Sequence, residues 1–389
     1  MPIQPSFTGG ELTPSLHSRV DLSKYNTGLK TCKNFFVHAH GGVSNCPGME
    51  FLNRAMNSTH AVRLIPFQFN TEQTYVLEFG ELYMRVFMDG GPVLEANQSI
   101  TGITQASPGV VTIAGHGFVN GDWVWVDSVA GMTEMNGYYR KVANVSSNTF
   151  TLTDLDDNAI DTSNYSAYSS GGTAARVYTV TSPYAASDLA LVKYTQTADT
   201  MTLVHPSYEP RTLTRSGHTT WSFAGITYNP EISAPTGVSG SGGIGDSYSY
   251  KVTAISETGE ESLPSAASSG TLNEDGGTLT WTAVSGAARY VVYKNKPANG
   301  IYGFAGLAGS NTWTDTVINP DLSDTIPNAD TPFNGTDNYP GTVTYFEQRG
   351  VYGATNNRPQ TIFMTQVGNY HNFNTSSPTR DDDAIVFTH

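Results

Sequence analysis

Two cysteines and two histidines near the N-terminus are of the residue types that bind zinc. They are Cys32, His38, His40 and Cys46. Thiolate sulfur and imidazole nitrogen together make tetrahedral zinc sites. Five residues separate Cys32 from His38, and five separate His40 from Cys46, a spacing that matches no common zinc motif. We therefore expect two ordinary thiols and two surface histidines, and the sequence assigns no metal ligand.

A glycine-rich segment, residues 240–245, matches the pattern G-x-G-x-x-G. A dinucleotide site needs a strand before this pattern and a helix after it. Here a proline-led stretch, residues 235–238, precedes the glycines, and tyrosine-rich predicted strands follow them. We interpret residues 239–245 as a flexible linker and assign no cofactor-binding residue and no cofactor.

Two acidic clusters carry oxygen ligands of the kind that calcium prefers. The first, within residues 154–161, lacks the glycine and the terminal glutamate of an EF-hand loop, which favours a solvated turn. The second is Asp381-Asp382-Asp383, preceded by Arg380. Neighbouring side chains of a strand point to opposite faces, so these carboxylates are not expected to converge on one ion. The first cluster comprises Asp154, Asp156, Asp157, Asn158 and Asp161.

The catalytic motifs G-x-S-x-G, G-x-x-x-x-G-K-[ST] and H-E-x-x-H do not occur in the sequence. Nine scattered histidines leave a catalytic triad open, but no spacing points to one. The sequence therefore assigns no catalytic residue, and we expect a protein that is not an enzyme.

Aromatic pairs such as Trp123/Trp125 and Tyr248/Tyr250 fall on one face of their predicted strands. Most such residues fill the cores of β domains. The alternative is an aromatic platform that binds carbohydrate.

The composition predicts a mainly β protein. The 389 residues include 39 Gly, 20 Pro and 21 Tyr, which favour strands and turns over helices. Two cysteines exclude a disulfide scaffold. The N-terminus has no basic segment followed by an apolar run, and no stretch approaches the length of a membrane span, so we expect neither a secretory signal nor a membrane segment.

One helix and many strands are predicted along the chain. Asp21 is a plausible N-cap, and Leu22, Tyr25 and Leu29 follow at helical spacing in a stretch that runs out near Asn34. Two strands flank a predicted hairpin turn at Gly80-Glu81. Residues 185–193 are compatible with a second short helix, and residues 341–349 are predicted to be one strand. Residues 384–388 read as a strand in mid-pattern, so we expect the fold to need more chain, or the chain to be one half of a split protein.

These elements predict a discontinuous platform with two inserted β modules. The platform comprises residues 1–95, 179–230 and 331–389. The inserted modules are residues 96–178, a small barrel or sandwich, and residues 231–330.

Several short patterns resemble the tail nozzle proteins of short-tailed bacteriophages, also called tail tubular protein B. They occur in sequence order and cover roughly half of the chain. The resemblance is carried by Phe7–Pro14 with Arg19–Tyr25, by Asn34-Phe35 with Gly41–Val43 and Pro47-Gly48, by Arg63–Phe67 with Tyr75–Gly80, by Gln196–Met201 with His205-Pro206, Arg215 and Trp221, and by Tyr345–Arg349 with Pro359–Ile362, Gly368–Tyr370 and Phe373.

This resemblance implies a structural virion protein located in the phage tail and assembled in the cytoplasm of the host bacterium. The implied assembly is a homo-hexameric ring, or nozzle, that continues the DNA-ejection channel. The resemblance also implies that the platform of each copy is β-propeller-like. Its implied partners are other copies of the chain, the adaptor or head-tail connector proteins, and tail fibres or spikes. The formal net charge of −14 fits a channel that passes DNA without binding it tightly.

The two insertions resemble known modules as well. Residues 101–178 resemble the small β domain described as a cysteine half-domain of ubiquitin-activating enzymes, on Val110–Thr112, His116–Phe118, Gly121-Asp122, Asn136-Gly137 and Phe150–Leu152. This segment contains no cysteine, so only the fold is implied. Residues 231–327 resemble a fibronectin type III module on Tyr248–Ala254, Leu279–Trp281 and Tyr290–Tyr293, although the first of these strands usually follows the second; a permuted or merely similar sandwich stays open.

The alternative from another class is a carbohydrate-binding host-adhesion or tail-fibre protein that uses the inserted modules. A depolymerase ranks third, because such enzymes usually carry β-helix repeats and the sequence has no internal period.

Overall fold

The computed structural model describes residues 4–48, 51–70, 72–241, 248–268, 276–295 and 300–389. The chain divides into two compact units, residues 1–53, called here the N-terminal unit, and residues 54–389, called the body. The described residues form strands and short 3₁₀ helices, which confirms the predicted mainly β class. The 3₁₀ helices are Pro14–Leu16, Ser23–Thr27, Thr133–Met135 and Leu189–Leu191. Within the described ranges, no helix is long and apolar enough to cross a bilayer.

The N-terminal unit contains two small pairs of strands. β1 pairs with β2 in parallel, and β3 pairs with β4 as an antiparallel hairpin. None of the residues described in this unit is buried. The unit therefore has surface pairing but no core. Its strands are β1 (Gly10–Glu11), β2 (Gly28–Leu29), β3 (Phe35–Val37) and β4 (Val43–Asn45).

The predicted N-terminal α-helix is wrong. The structure has only the 3₁₀ helix Ser23–Thr27, and Gly28 already has extended backbone. Asp21 does not cap the helix, because its carboxylate accepts two hydrogen bonds from Arg19, at 2.8 and 2.7 Å. The second predicted helix is reduced to Leu189–Leu191.

The first sheet of the body begins with an antiparallel meander. Side chains of one face pack into a core, while the alternate residues lie on the outer face. The strands are β5 (Arg63–Gln68), β6 (Thr74–Gly80), β7 (Tyr83–Met88) and β8 (Gly91–Pro92).

A seven-stranded sheet follows, and all of its strands lie between Gln98 and Arg176. It encloses its own core, which includes Val124, Val126 and Phe150. The strand order is β10-β11-β14-β13-β12-β15-β9. The strands are β9 (Gln98–Ser99), β10 (Gly102–Ile103), β11 (Val110–Thr112), β12 (Trp123–Ala130), β13 (Tyr138–Ala143), β14 (Thr149–Thr153) and β15 (Ser170–Arg176).

The chain then returns to the first sheet and builds a second one. β16 pairs with β7, which gives the order β16-β7-β6-β5 with β8 beside β7. β17 to β20 form a four-stranded meander. The strands are β16 (Thr179–Thr181), β17 (Lys193–Thr197), β18 (Thr200–His205), β19 (Tyr208–Gly217) and β20 (Thr220–Gly225).

A two-sheet sandwich follows. Three strands, β21-β23-β26, form one sheet, and the other has the order β22-β24-β25-β27-β31, in which β31 is Thr375–Ser377. Its β31 comes from beyond the predicted module, so that sheet continues past residue 330. The fibronectin type III assignment stays a prediction. The strands are β21 (Thr236–Ser241), β22 (Ser249–Ser256), β23 (Gly277–Thr282), β24 (Ala287–Asn295), β25 (Tyr302–Ala308), β26 (Thr312–Asp315) and β27 (Asp321–Asn328).

An ion pair is buried between the two sheets of the sandwich. Lys294 Nζ lies 2.6 Å from Asp315 Oδ2, and the hydroxyl of Tyr250 donates to the same oxygen. Burial alone would raise the pKa of the Asp315 carboxyl, but these hydrogen bonds hold that pKa below its ordinary value. The pair is therefore charged and satisfied inside the module.

The last sheet is the meander β28-β29-β30-β32. The single strand predicted over residues 341–349 is wrong, because the chain turns at Glu347 and Gln348. Both have positive φ, 46° and 60°, which is the geometry of a tight two-residue hairpin. The strands are β28 (Thr342–Phe346), β29 (Arg349–Gly353), β30 (Thr361–Met364), β31 (Thr375–Ser377) and β32 (Ile385–Thr388).

Strand β18 lies between two other sheets, and five of its six residues are buried. Met201 and Leu203 share a core with Leu77 and Val86 of the first sheet. Alternate residues of a strand point to opposite faces, so Thr202 points away from that core.

The opposite face of β18 meets the last sheet. Val204 belongs to a core with Val343 and Tyr352, and Thr202 Oγ1 lies 3.0 Å from the hydroxyl of Tyr345. The first, second and last meanders are thus stacked face to face in the order of the sequence.

We predict that residues 96–178 fold when expressed alone. The strands of their sheet and the residues of their core all lie within the segment, which is the property expected of an independent module. Thermal unfolding followed by circular dichroism should show one cooperative transition. Residues 231–330 are predicted to fold alone as well, without the edge strand β31, which lies outside this segment. If neither segment unfolds cooperatively, the predicted boundaries are wrong.

We predict that Trp281→Ala destabilises the sandwich by about 3–5 kcal/mol, as expected for a buried aromatic side chain. The Trp281 ring is buried and packs edge-on against Tyr290, with ring centroids 5.2 Å apart. Hydrogen exchange of the amides in β22 and β24, measured in the complete chain, reports this loss. Thr280→Ala, on the exposed face of the same strand, is the matched control and should stay within about 0.5 kcal/mol. A loss below about 1 kcal/mol for Trp281→Ala would mean that the ring is not part of the core.

Candidate functional site

A buried ion pair lies on the outer face of the first sheet. Glu78 of β6 and Arg85 of β7 are directly opposite each other in the hairpin register. The guanidinium contacts both carboxylate oxygens, with Nη2 at 2.7 Å from Oε2 and 2.9 Å from Oε1. Tyr83 donates its hydroxyl to Glu78 Oε1 at 2.7 Å, and burial together with this carboxylate raises the pKa of Tyr83.

The register of this hairpin differs from the prediction. A turn at Gly80-Glu81 would place Glu78 opposite Tyr83, but the structure turns at Glu81 and Leu82, where Leu82 has a φ of 59°. Gly80 serves another purpose, because a Cβ there would lie 2.2 Å from the Tyr83 ring. The glycine thus marks a close ring contact and not the turn, and the pairing of Glu78 with Arg85 could not be read from it.

Arg85 connects the first sheet to the inserted β module. Its guanidinium lies 4.9 Å from the ring centroid of Trp123 in β12 and 5.5 Å from that of Phe87. It also donates to the backbone oxygen of Arg54. A desolvated cation held between aromatic rings and a carboxylate is costly to disturb, so this contact fixes the module on the sheet.

A cleft of about 440 Å³ opens beside this junction. Arg176 crosses it and contacts Glu95 at 2.8 Å and Asp122 at 3.2 Å. The hydrogen bond that Arg176 donates to Glu95 raises the pKa of Arg176. Arg176 is the one cation among the described residues that line the cleft, and two carboxylates neutralise it, so these residues offer no free positive charge to an anionic ligand. The cleft is lined by Met56, Glu95, Asn120, Gly121, Asp122, Trp123, Arg176, Val177 and Thr179.

A larger cleft of about 680 Å³ lies between the sandwich and the last sheet. Its acidic residues include Glu231, Glu260 and Asp382. Glu260 is buried and accepts hydrogen bonds from Asn372 Nδ2 at 2.9 Å and from the backbone nitrogen of Glu231 at 3.1 Å. These bonds tie the sandwich to the last segment of the chain, so we interpret Glu260 as a structural carboxylate.

The structure brings His38 and His40 together but builds no metal site from the described residues. Their rings stack with centroids 5.1 Å apart, and His38 Nε2 lies 2.8 Å from Ser44 Oγ. No group of three or more cysteine, histidine or acidic side chains among the described residues has the geometry of a metal site. Cys32 is partly exposed and Cys46 is exposed, and both are free thiols.

The acidic loop at residues 154–161 is held by its own hydrogen bonds. Asp154 accepts from the side chain and backbone of Asn158, which lowers the pKa of Asp154. Asp156 and Asp157 form ion pairs with Arg54 and Lys141. The carboxylates are thus used by the turn, in agreement with the turn interpretation.

The second acidic cluster differs in part from its prediction. Asp381 and Asp382 are exposed, as expected of a solvated turn, but Asp383 is buried. It accepts hydrogen bonds from Ser376 and from the backbone nitrogen of Arg380, so it closes the turn that leads into β32.

Most aromatic candidates for a carbohydrate platform belong to cores. Trp123 and Tyr250 are buried, whereas Trp125 is half-buried and packs against the tilted ring of Tyr139, with centroids 4.7 Å apart. The interpretation of residues 239–245 as a flexible linker is wrong for residues 239–241, which lie in β21 and pair with β23. Residues 242–247 lie outside the described residues.

Comparison with known proteins finds one family match. The sequence profile described as the ubiquitin-activating enzyme E1 FCCH domain matches residues 106–178. This confirms the predicted resemblance of the inserted β module to that domain. No curated protein matches the chain.

Among solved structures, the chain described as "Phage phi92 endosialidase" is similar at 11% identity. The match covers 80% of this chain and 54% of that chain, with a TM-score of 0.20. This chain thus spans about half the length of the endosialidase chain, and a TM-score this low supports no argument about fold or function.

The sequence did not point to the polar residues that hold the structure together, namely Glu78 with Arg85, Lys294 with Asp315, and Glu260. Each is buried and is ion-paired or hydrogen-bonded to a residue of another strand or segment, and so ties separate parts of the chain together.

We predict that Arg85→Met destabilises the body by about 3–5 kcal/mol, because it leaves the Glu78 carboxylate buried without its counterion. Calorimetry of the complete chain should show the transition of the first sheet at lower temperature. The double variant Arg85→Met with Glu78→Gln removes both charges and should recover much of the loss. A single variant within about 1 kcal/mol of the parent would contradict this role for Arg85.

Proposed function

We propose that the chain is a structural protein of a bacteriophage tail whose copies associate into a ring, the nozzle that continues the DNA-ejection channel. The observation that carries this proposal is the stack of three antiparallel meanders joined through β18. Radial repetition of four-stranded sheets is the architecture of a β-propeller. The stack of meanders is therefore consistent with the β-propeller-like platform that the resemblance to tail nozzle proteins implies.

Both ends of this stack support association between copies. The outer face of the first sheet exposes Leu64 and Val76, and the outer face of the last sheet exposes Ile362, Ile385 and Phe387. Contact between two different faces of neighbouring copies is heterologous, and such contacts close into a ring when the rotation per copy divides a full turn.

The charge distribution supports a channel that does not retain DNA. The chain has 34 acidic and 20 basic residues. Several of the basic side chains are already paired with carboxylates, among them Arg85, Arg176 and Lys294. Tight phosphate binding needs clustered lysine and arginine that can replace counterions.

We propose that adaptor proteins and tail fibres contact the outside of this ring.

We expect the purified protein, alone or with its adaptor, to form closed rings with negligible affinity for duplex DNA at physiological salt. Light scattering gives the mass, electron micrographs show the ring, and a labelled duplex titrated across a salt series gives the affinity. A strict monomer that stays monomeric with the adaptor supplied would contradict the nozzle assignment. Micromolar DNA binding with a steep salt dependence would contradict the passive channel.

A further inference from the structure

The N-terminal unit is folded without a core of its own. Its described residues form defined strand pairs, yet none of them is buried. Segments of this length rarely fold stably without a disulfide, a metal ion or a partner surface. Its two thiols are free, so the described unit has no disulfide to replace the missing core.

The hairpin β3–β4 carries the clearest apolar surface of this unit. Phe35, Phe36 and Val37 are consecutive and are 48%, 53% and 36% exposed. Consecutive residues of a strand point to alternate faces, so both faces of the hairpin present apolar side chains. An isolated two-stranded hairpin is marginal in water, which means that this one gains most from an additional surface.

The charge of the unit is opposite to that of the body. Residues 1–53 contain four of the 20 basic side chains and three of the 34 acidic ones. Residues 54–389 therefore contain 16 basic and 31 acidic side chains. Lys24, Lys30 and Lys33 form no ion pair with a described residue, so their charges are free to meet an acidic partner.

We propose that residues 1–53 act as an arm that docks its β3–β4 hairpin on the acidic body of a second copy of this chain. The inference rests on the self-association proposed above and names the segment that makes it. The lysines provide the electrostatic attraction, which orients the approach, and the aromatic residues provide the buried contact.

A second copy fits this arm better than nucleic acid does. Three lysines neutralise few phosphates, and an exposed Phe-Phe-Val hairpin needs an apolar partner surface. The body offers apolar side chains on an acidic background, with Leu64 61% exposed on the first sheet. Charge and apolar exposure therefore both point to a body of the same kind of chain.

The two cysteines of the chain, Cys32 and Cys46, both lie in this unit and allow a test in the complete protein. In the variant Cys32→Ser, a maleimide–benzophenone probe is attached to Cys46, which is exposed and follows β4 directly. Equal amounts of ¹⁵N-labelled and unlabelled protein are mixed, dissociated, reassembled and irradiated. We expect cross-linked peptides that join Cys46 of one copy to residues 54–389 of a copy with the other label.

A paired substitution measures the contribution of the hairpin. Phe35→Ser with Phe36→Ser should weaken self-association by about ten-fold or more, as for residues central to an interface. Val20→Ser is the matched control, since Val20 is 70% exposed in the same unit but outside the hairpin, and it should leave association unchanged. Circular dichroism should show unaltered strand content in both variants, because the substituted side chains are exposed.

The outcomes separate this inference from the proposed function. If light scattering shows assembly but all Cys46 cross-links stay within one copy, the arm is overturned and the ring stands. The same conclusion follows if the phenylalanine variant assembles like its parent. If the protein stays monomeric with its adaptor present, the ring is overturned. Cross-links from Cys46 to the adaptor would then show that the arm binds the adaptor and not a second copy, which overturns the arm as proposed here. If the parent protein does bind duplex DNA, contrary to the expectation above, and Lys30→Glu with Lys33→Glu abolishes that binding while association is unchanged, the arm is overturned in favour of a nucleic-acid contact.

Discussion

The strict alternation of side chains along β18 joins the first and the last sheet of the body. Met201 and Leu203 join the first sheet, while Thr202 and Val204 join the last one. A shift of this strand by one residue would exchange the two sets, and in one direction it would place Thr200 and Thr202 in the core positions of Met201 and Leu203. The stack therefore depends on the register of β18 with β17 and β19, and the four-stranded meander around it fixes that register.

Buried polar groups fix how the modules of the body are arranged. Arg85 and Glu78 fix the inserted β module on the first sheet, and Glu260 with Asn372 ties the sandwich to the last segment. Such buried pairs add little net stability compared with apolar packing, but each leaves an uncompensated charge or an unmade hydrogen bond if the modules separate. They therefore specify one arrangement of modules among several that apolar contacts alone would tolerate.

Much of the strand pattern could be predicted from the sequence, because alternation of apolar and polar residues directly reflects half-buried strands. Strands such as β12, which contains Trp123 and Trp125, and β22, which contains Tyr250, lie where the pattern places them. The prediction of an N-terminal helix failed for two reasons. Three apolar residues at helical spacing are weak evidence, and the carboxylate of Asp21 accepts a hydrogen bond from Arg19 instead of capping a helix. The Glu78–Arg85 pair depends on a turn displaced by one residue, and Lys294 meets Asp315 only when two sheets close on each other. Contacts of this kind arise from register and tertiary packing, and local sequence patterns do not contain them.

The inserted β module enters and leaves the first sheet at one point. Leu94 and Val177 form an antiparallel bridge, and Glu95 donates its backbone nitrogen to the oxygen of Arg176. The two ends of the module therefore lie side by side, at the separation of paired strands. A segment attached in this way can be deleted, lengthened or exchanged for another fold while the host sheet keeps its hydrogen bonds. In evolutionary terms, this junction allows the first sheet to be conserved while the inserted β module diversifies independently.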